Sequence, residues 1–172
     1  MSVELIGGPE PGPITLAEYD PAWPERFERE RERILAALGD AVLRIEHVGS
    51  TSVPGLAAKP IVDIDVAVAD PEHEAAFVPA LERAGYVLRV REPGHRLLRT
   101  PERDVHVHVW APGDANMARD LRFRDRVRAS AADRAAYEAR KRELAGRDWA
   151  ARQDYADAKG PLIREIAARG RL

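Results

Sequence analysis

The sequence predicts an α+β protein with strands and helices around one core and a helical final third. Ile61–Ala69 and Val105–Trp110 alternate polar and apolar residues, the period-two pattern of strands whose two sides meet different surroundings. Pro21–Leu38 instead spaces Trp23, Phe27, Ile34, Leu35 and Leu38 as a helical stripe, with Glu and Arg on the other side. Beyond Pro112-Gly113 the chain reads almost wholly as helix. Its 172 residues, 45% of them hydrophobic, support one core and are short for two, so residues 1–172 are expected to form a single domain.

Residues 1–13 read as a flexible arm, because Gly and Pro crowd Gly7–Pro13. Pro24 sits comfortably in the first turn of the Pro21–Leu38 helix, where a missing N–H costs nothing, and Gly39-Asp40 stops it. Ala41–Ile45 is a short strand. Ser50–Ala58 is a loop with at most one helical turn. Ile61–Ala69 is a strand ended by Asp70-Pro71, and Glu72–Ala84 a helix closed by Gly85. Strands follow at Tyr86–Val90 and Arg96–Thr100, joined by a turn over Arg91–His95. In Val105–Trp110 and the preceding aspartate, Asp104, His106, His108 and Trp110 share one face, leaving the valines to the core. Helices are expected over Met117–Ala129, from a Ser130 cap to about Leu144, and over Trp149–Ala158 and Leu162–Ala168, the last two separated by Gly160-Pro161.

Composition narrows the function. The formal net charge is -2, from 27 basic and 29 acidic residues, which gives no strong nucleic-acid signal. The absence of cysteine excludes disulfides, thiolate metal sites and thiol nucleophiles. No apolar run approaches the roughly 20 residues of a membrane span, and the start lacks a basic-then-apolar signal pattern. A cytoplasmic protein is expected.

Glu46–Asp65 concentrates the chemistry. Gly49 permits a tight backbone turn, and Ser50, Thr51 and Ser52 offer hydroxyls beside backbone amides, a set suited to phosphate. Lys59 adds a mobile positive charge at the far end of the loop. Asp63 and Asp65 then share one strand face as a carboxylate pair whose repulsion a cation would relieve, and Mg²⁺, or Mn²⁺, suits carboxylates combined with ligand phosphates. The plain alternative is a surface loop followed by a solvated strand. His47, at a strand end beside Gly49, either braces the loop or acts as a base.

The second polar strand adds His106 and His108, which at i and i+2 can reach one ligand. They complete a metal site with Asp63 and Asp65, bind phosphate as imidazolium, or form an exposed polar strand. A histidine pair alone does not specify zinc, since local spacing identifies no third ligand. Arg96 and Arg99 can approach phosphate. Arg119, Arg122 and Arg126 form a helical basic stripe that either guides an anion or pairs with Asp120 and Asp125. Tyr155 and Lys159, at i and i+4, can act together.

HVGSTSVPGLAAKPIVDIDV at His47–Val66 resembles the signature of the GrpB family, also known as UPF0157. Asp104–Trp110, LRFRDRVRA at Leu121–Ala129 and YADAKGPLI at Tyr155–Ile163 resemble the same family's later blocks, in order, so the likeness spans roughly Ile14–Ala168. It implies a nucleotidyltransferase-like mixed β-sheet flanked by helices. In that superfamily a Gly-Ser segment, matched by Gly49 and Ser50, precedes an Asp-x-Asp, matched by Asp63 and Asp65. A third carboxylate commonly comes from a later strand. The corresponding strand here carries histidines at its centre, with Asp104 only near its start. Related domains fused to dephospho-CoA kinase further imply a nucleotide or coenzyme A ligand.

The expected function is metal-dependent nucleotidyl transfer from a nucleoside triphosphate to an unknown small molecule. Asp63, Asp65, His47 and His106 are the catalytic candidates, and Asp63, Asp65, His106 and His108 the metal ligands. Gly49, Ser50, Thr51, Ser52, Lys59 and Arg96 are expected on phosphate. Two alternatives stand beside it: a non-catalytic nucleotide or coenzyme A binding module, and other metal-dependent phosphoryl chemistry or ligation.

Overall fold

The computed structural model describes residues 2–170. Its centre is a six-stranded sheet: β1 (Glu4–Leu5), β2 (Arg44–Val48), β3 (Val62–Ala67), β4 (Val87–Glu92), β5 (His95–Arg99) and β6 (Val105–Trp110), in the order β1-β4-β5-β6-β3-β2. Only β3 and β6 pair in parallel, so the sheet is mixed. Helices α1 (Ala22–Leu38), α2 (Val78–Arg83), α3 (Ala115–Ala129), α4 (Ala131–Ala145) and α5 (Arg152–Arg169) flank it. The architecture is α+β with a helical C-terminal region. No helix among the described residues is long and apolar enough to cross a membrane.

The two faces of the sheet differ as the alternation requires. Val62, Ile64 and Val66 of β3 join Val105, Val107 and Val109 of β6 in the main core, together with Trp23 and Ile34 of α1 and Leu81 of α2. Burying such side chains stabilises by about 1.5–3 kcal/mol each. The opposite face carries Asp63, Asp65, His106 and His108. It is not left to solvent. Val48, Ala67 and Trp110 meet Met117 and Leu121 of α3, while Phe123, Tyr137 and Ile166 from α3, α4 and α5 enclose Val53 and Leu56 of the loop. The C-terminal helices thus pack over the polar strand face and leave its Asp63, His106 and His108 side chains about a quarter to a third exposed, at 30%, 25% and 24%.

Several boundaries differ from the sequence expectation. The strand expected at Ala41–Ile45 lies at Arg44–Val48, because Gly39–Ala41 forms a 3-10 turn and pairing with Asp63–Ala67 sets the register. The shift seats Gly49 directly at the strand end. The helix expected over Glu72–Ala84 begins as a 3-10 turn at Glu74–Ala76 and is α-helical only at Val78–Arg83. Within the expected arm, Glu4–Leu5 pairs with β4, and Glu10 accepts two hydrogen bonds from Arg99 at 2.9 and 2.6 Å.

The expected break at Gly160-Pro161 does not occur: α5 runs through Pro161. A helix-interior proline costs about 3 kcal/mol, and packing of Leu162, Ile163, Ile166 and Ala167 against α3 and α4 offsets it. Continuity fixes Tyr155 and Lys159 one turn apart on the same helix.

Candidate metal centre

The parallel pairing of β3 and β6 sets Asp63 opposite His106 and Asp65 opposite His108. Ligand atoms of Asp63, His106 and His108 all lie within 4.8 Å of one another. His108 Nε2 is 3.4 Å from Asp63 Oδ1, and His106 Nδ1 is 3.6 Å from the same oxygen. Two ligand atoms each about 2.1 Å from an ion, at a tetrahedral angle, are separated by about 3.4 Å. The three side chains therefore fit one divalent cation with little rearrangement.

Hydrogen bonds behind His108 support the same fit. His108 Nδ1 lies 3.1 Å from His95 Nε2, and His95 Nδ1 lies 2.5 Å from Glu92 Oε1. With Glu92 as acceptor, His95 donates from Nδ1 and accepts at Nε2 from His108 Nδ1–H. That leaves the Nε2 lone pair of His108 for a metal, the tautomer that outer partners impose on ligating histidines. Trp110 holds His95 in place by stacking, with ring centroids 4.0 Å apart.

Without a cation, protons distribute the charge. Burial opposes ionisation of Asp63, but the His108 hydrogen bond and the charges of His106, His108 and Lys59 hold its carboxyl below the usual range. Burial likewise opposes a charge on His108, yet its bond to Asp63 and the carboxylates of Asp63, Asp65 and Asp120 raise it to about 9. Burial lowers His106 to about 4, outweighing Asp63, so this imidazole is neutral and ready to ligate. Burial raises Asp65 to about 7.

Gly49 brings the loop onto this cluster. Its φ of 70° and ψ of -174° lie in territory that glycine alone adopts readily. A Cβ there would stand 2.6 Å from Asp63 Oδ2, so only a glycine lets the strand end abut the carboxylate.

The other expected residues divide. Asp65 is fully buried and lies outside the three-ligand set. Its Oδ1 accepts from Trp110 Nε1 at 3.1 Å, and its Oδ2 has no partner among the described residues. The expected carboxylate pair thus becomes one carboxylate and two imidazoles. His47 pairs with Ile64 on the valine face and stacks on Phe27, away from the triad. Burial keeps it neutral, its pKa lowered from the ordinary 6.5 to about 4. Its Nε2 donates to Thr51 Oγ1 at 3.0 Å, while Thr51 donates to the Ile61 carbonyl, so His47 braces the loop.

Thr51 and Ser52 spend their hydroxyls inside the loop, Ser52 on the Gly49 carbonyl at 2.5 Å. Ser50 makes only a long contact, 3.5 Å, to Tyr137. Arg96 is paired with Val109 on the valine face and is held by Glu72 and Glu74, so it does not approach the triad. Arg99, paired with His106, is on the triad's face but clamped by Glu10. On α3, Arg119 pairs with Asp120 and Arg126 with Asp133, which favours the structural reading of that stripe.

A family model described as GrpB protein matches residues 13–169. The chain belongs to the GrpB family. It is 58% identical over 168 residues to a UPF0157 protein of Streptomyces coelicolor, covering 98% of this chain and 90% of that one. A UPF0157 protein of Halalkalibacterium halodurans is 49% identical over 164 residues, covering 94% and 84%. The crystal structure of GrpB from Enterococcus faecalis is similar with a TM-score of 0.76 at 33% identity, covering 91% of this chain and 96% of that chain. A shorter stretch, 77 residues or 43% of the chain, is 39% identical to 19% of a dephospho-CoA kinase of Mycolicibacterium paratuberculosis.

Within this GrpB chain, folding brings in residues that sequence patterns did not single out. Glu92 and His95 both lie in the expected Arg91–His95 turn, but end β4 and begin β5, and the hairpin carries them to His108. Asp120 sits on α3, where helical spacing showed a charged stripe. Its carboxyl is raised by burial, and its charge acts on His108 and Asp65. Asp120 thus adds a carboxylate from a helix to the surroundings of His108 and Asp65, outside the Asp63–His106–His108 set.

Proposed function

We propose that this GrpB protein binds a nucleoside triphosphate through a divalent metal held by Asp63, His106 and His108, and transfers its nucleotidyl group to a small-molecule acceptor. The supporting observation is the triad itself, placed by paired strands directly beside the Gly49–Ser50 turn. The order of Gly-Ser and Asp-x-Asp is similar to that of nucleotidyltransferases. Two imidazoles and a carboxylate suit Mn²⁺ or Zn²⁺ better than Mg²⁺, which favours oxygen ligands. Such an ion would offset charge on the transferring phosphoryl group.

In the reaction, the acceptor atom bonds to the α-phosphorus as the bond from that phosphorus to the bridging oxygen breaks. Pyrophosphate leaves with the electron pair, and the acceptor's proton passes to solvent. Ser50 and Lys59 bind phosphate oxygens, while Gly49 and the His95–Glu92 pair hold the triad in position.

Pyrophosphate release tests this. The protein is incubated with each of ATP, CTP, GTP and UTP, with Mn²⁺, Zn²⁺ or Mg²⁺ and a small-molecule extract. Metal-dependent release that disappears in Asp63→Asn is expected; nucleotide binding without release in any mixture refutes transfer. The second reading, a nucleotide or coenzyme A binding module, draws on the histidines that occupy the central β6 positions and on the short likeness to dephospho-CoA kinase. It predicts coenzyme A binding with no turnover.

A further inference from the structure

The chain has three lysines among its 27 basic residues, Lys59, Lys141 and Lys159, and all three meet in one place. Lys59 reaches it from the loop, Lys141 from α4 and Lys159 from α5. The ammonium groups of Lys59 and Lys159 lie 5.2 and 4.5 Å from the ring centre of Tyr155. That of Lys141 lies 5.0 Å from the ring of Tyr137 and donates to the Ala57 carbonyl. Among the described residues none of the three makes an ion pair, whereas Arg96, Arg99, Arg124 and Arg126 all do. Glu138 is the acid nearest in effect to Lys141, and it accepts from Ala57 N and from Arg142.

Like charges gathered at a partly buried site repel, and among the described residues no carboxylate forms an ion pair with any of them. Burial and mutual repulsion push Lys59 down to about 8 and Lys141 to about 7, and burial pushes Lys159 to about 8. The charge of Asp63 favours both Lys59 and Lys159, which places the group beside the triad. A second observation is independent of charge. Tyr155 is fully buried, and its hydroxyl has no hydrogen-bond partner among the described residues. A buried unpaired hydroxyl is costly, and a phosphate oxygen would satisfy it. Lysine serves phosphate as a mobile point charge, without the fixed fork that arginine brings to a carboxylate.

We infer that Lys59, Lys141, Lys159 and Tyr155 form a second anion subsite, which takes the distal phosphate of a ligand carrying two or more linked phosphates while its proximal phosphate lies at the Asp63–His106–His108 centre. This deepens the metal-dependent reading and rests on it for the proximal end. It gives the C-terminal helices a ligand role and explains why α5 must run unbroken through Pro161: a break would separate Tyr155 and Lys159 from the packing that holds them over the sheet.

Calorimetric titration of the full chain with inorganic phosphate and tripolyphosphate, with and without Mn²⁺, tests the subsite. Tripolyphosphate should bind at least about 10-fold more tightly than phosphate, and Lys159→Met should weaken it about 10- to 100-fold. The affinity of that variant for Mn²⁺ alone should stay unchanged. Its melting temperature without ligand should hold or rise, since a repelling buried charge is gone. Lys59→Met repeats the test from the loop side should Lys159→Met fold poorly. ATP and coenzyme A, titrated in parallel, distinguish the carrier; whichever binds should lose affinity in the same variants. Tripolyphosphate binding within twofold of the parent in both variants, or no measurable binding to the parent, overturns the subsite. If Mn²⁺ fails to bind while lysine-dependent tripolyphosphate binding persists, the metal centre fails and the anion subsite stands.

Discussion

Replacing Gly49 by alanine should disturb both the fold and the metal centre, by an amount the geometry sets. The backbone there, at φ 70° and ψ -174°, costs a non-glycine residue about 1–3 kcal/mol. The added Cβ would also meet Asp63 Oδ2 at 2.6 Å, Cβ at 3.1 Å and Cγ at 3.2 Å. Asp63 has little room to give, because β3 fixes its backbone and His106 and His108 approach its carboxylate. Overpacking of this kind adds about 1–3 kcal/mol. Since the two costs overlap, a total of about 2–4 kcal/mol is expected, and at about 2–4 °C per kcal/mol the melting temperature should fall by about 5–15 °C. Gly55→Ala is the control: its φ is also positive, at 79°, but its Cβ would meet nothing within 4 Å. It should cost about 1–2 kcal/mol and leave metal binding intact. The assays are thermal melting by circular dichroism and Mn²⁺ or Zn²⁺ titration. A Gly49→Ala protein that melts within 2 °C (about 1 kcal/mol) of the parent and keeps its metal affinity would refute the close-approach argument.

Three further outcomes follow from the same geometry. Asp63→Asn, His106→Ala and His108→Ala should each lower Mn²⁺ or Zn²⁺ affinity by more than about 100-fold, beyond what loss of an outer partner costs; equal affinity in any of them removes that residue from the ligand set. Glu92→Gln should weaken metal binding by about 10- to 100-fold with the far-ultraviolet spectrum unchanged, through His95 and the tautomer of His108, and an unchanged affinity would sink the relay. Glu10 is held down to about 2 by its hydrogen bonds from Arg99, against the opposing effect of burial and with the charges of Arg99, Arg103 and Arg89. A depressed carboxyl stabilises above its ordinary pKa of about 4.5 and loses that contribution as pH falls toward 2. The difference in melting temperature between the parent and Glu10→Gln should therefore be full at pH 6 and shrink below about pH 4.5; a difference independent of pH would show that the clamp is not electrostatic.

Much of the candidate site was legible in the sequence because strand alternation is a local property. Asp63 and Asp65 had to share a face, as did His106 and His108, whatever their neighbours. The family blocks carried the same residues. The core side of the sheet followed from the valines, and the loop's glycine from its position between strand and hydroxyls. What alternation could not supply was the partner strand and its direction. Parallel register between β3 and β6 sets His106 against Asp63 and His108 against Asp65, from which the candidate triad comes, while the hydrogen bond from Trp110 Nε1 holds the Asp65 carboxyl apart from it.

Tertiary structure also decided matters that looked settled locally. Pro161 reads as a helix break, yet packing against α3 and α4 outweighs its local cost and keeps Lys159 over the ring of Tyr155. Arg96 and His47 sit close in sequence to site residues, and one step of the pleat turns each to the valine face. Glu92 and His95 gain meaning only through the hairpin that lays them against β6. The sequence by itself determined the residue types, their alternation and the family. Which side chains meet depends on strand register and helix docking, because those are set by distant apolar contacts that no short stretch of sequence contains.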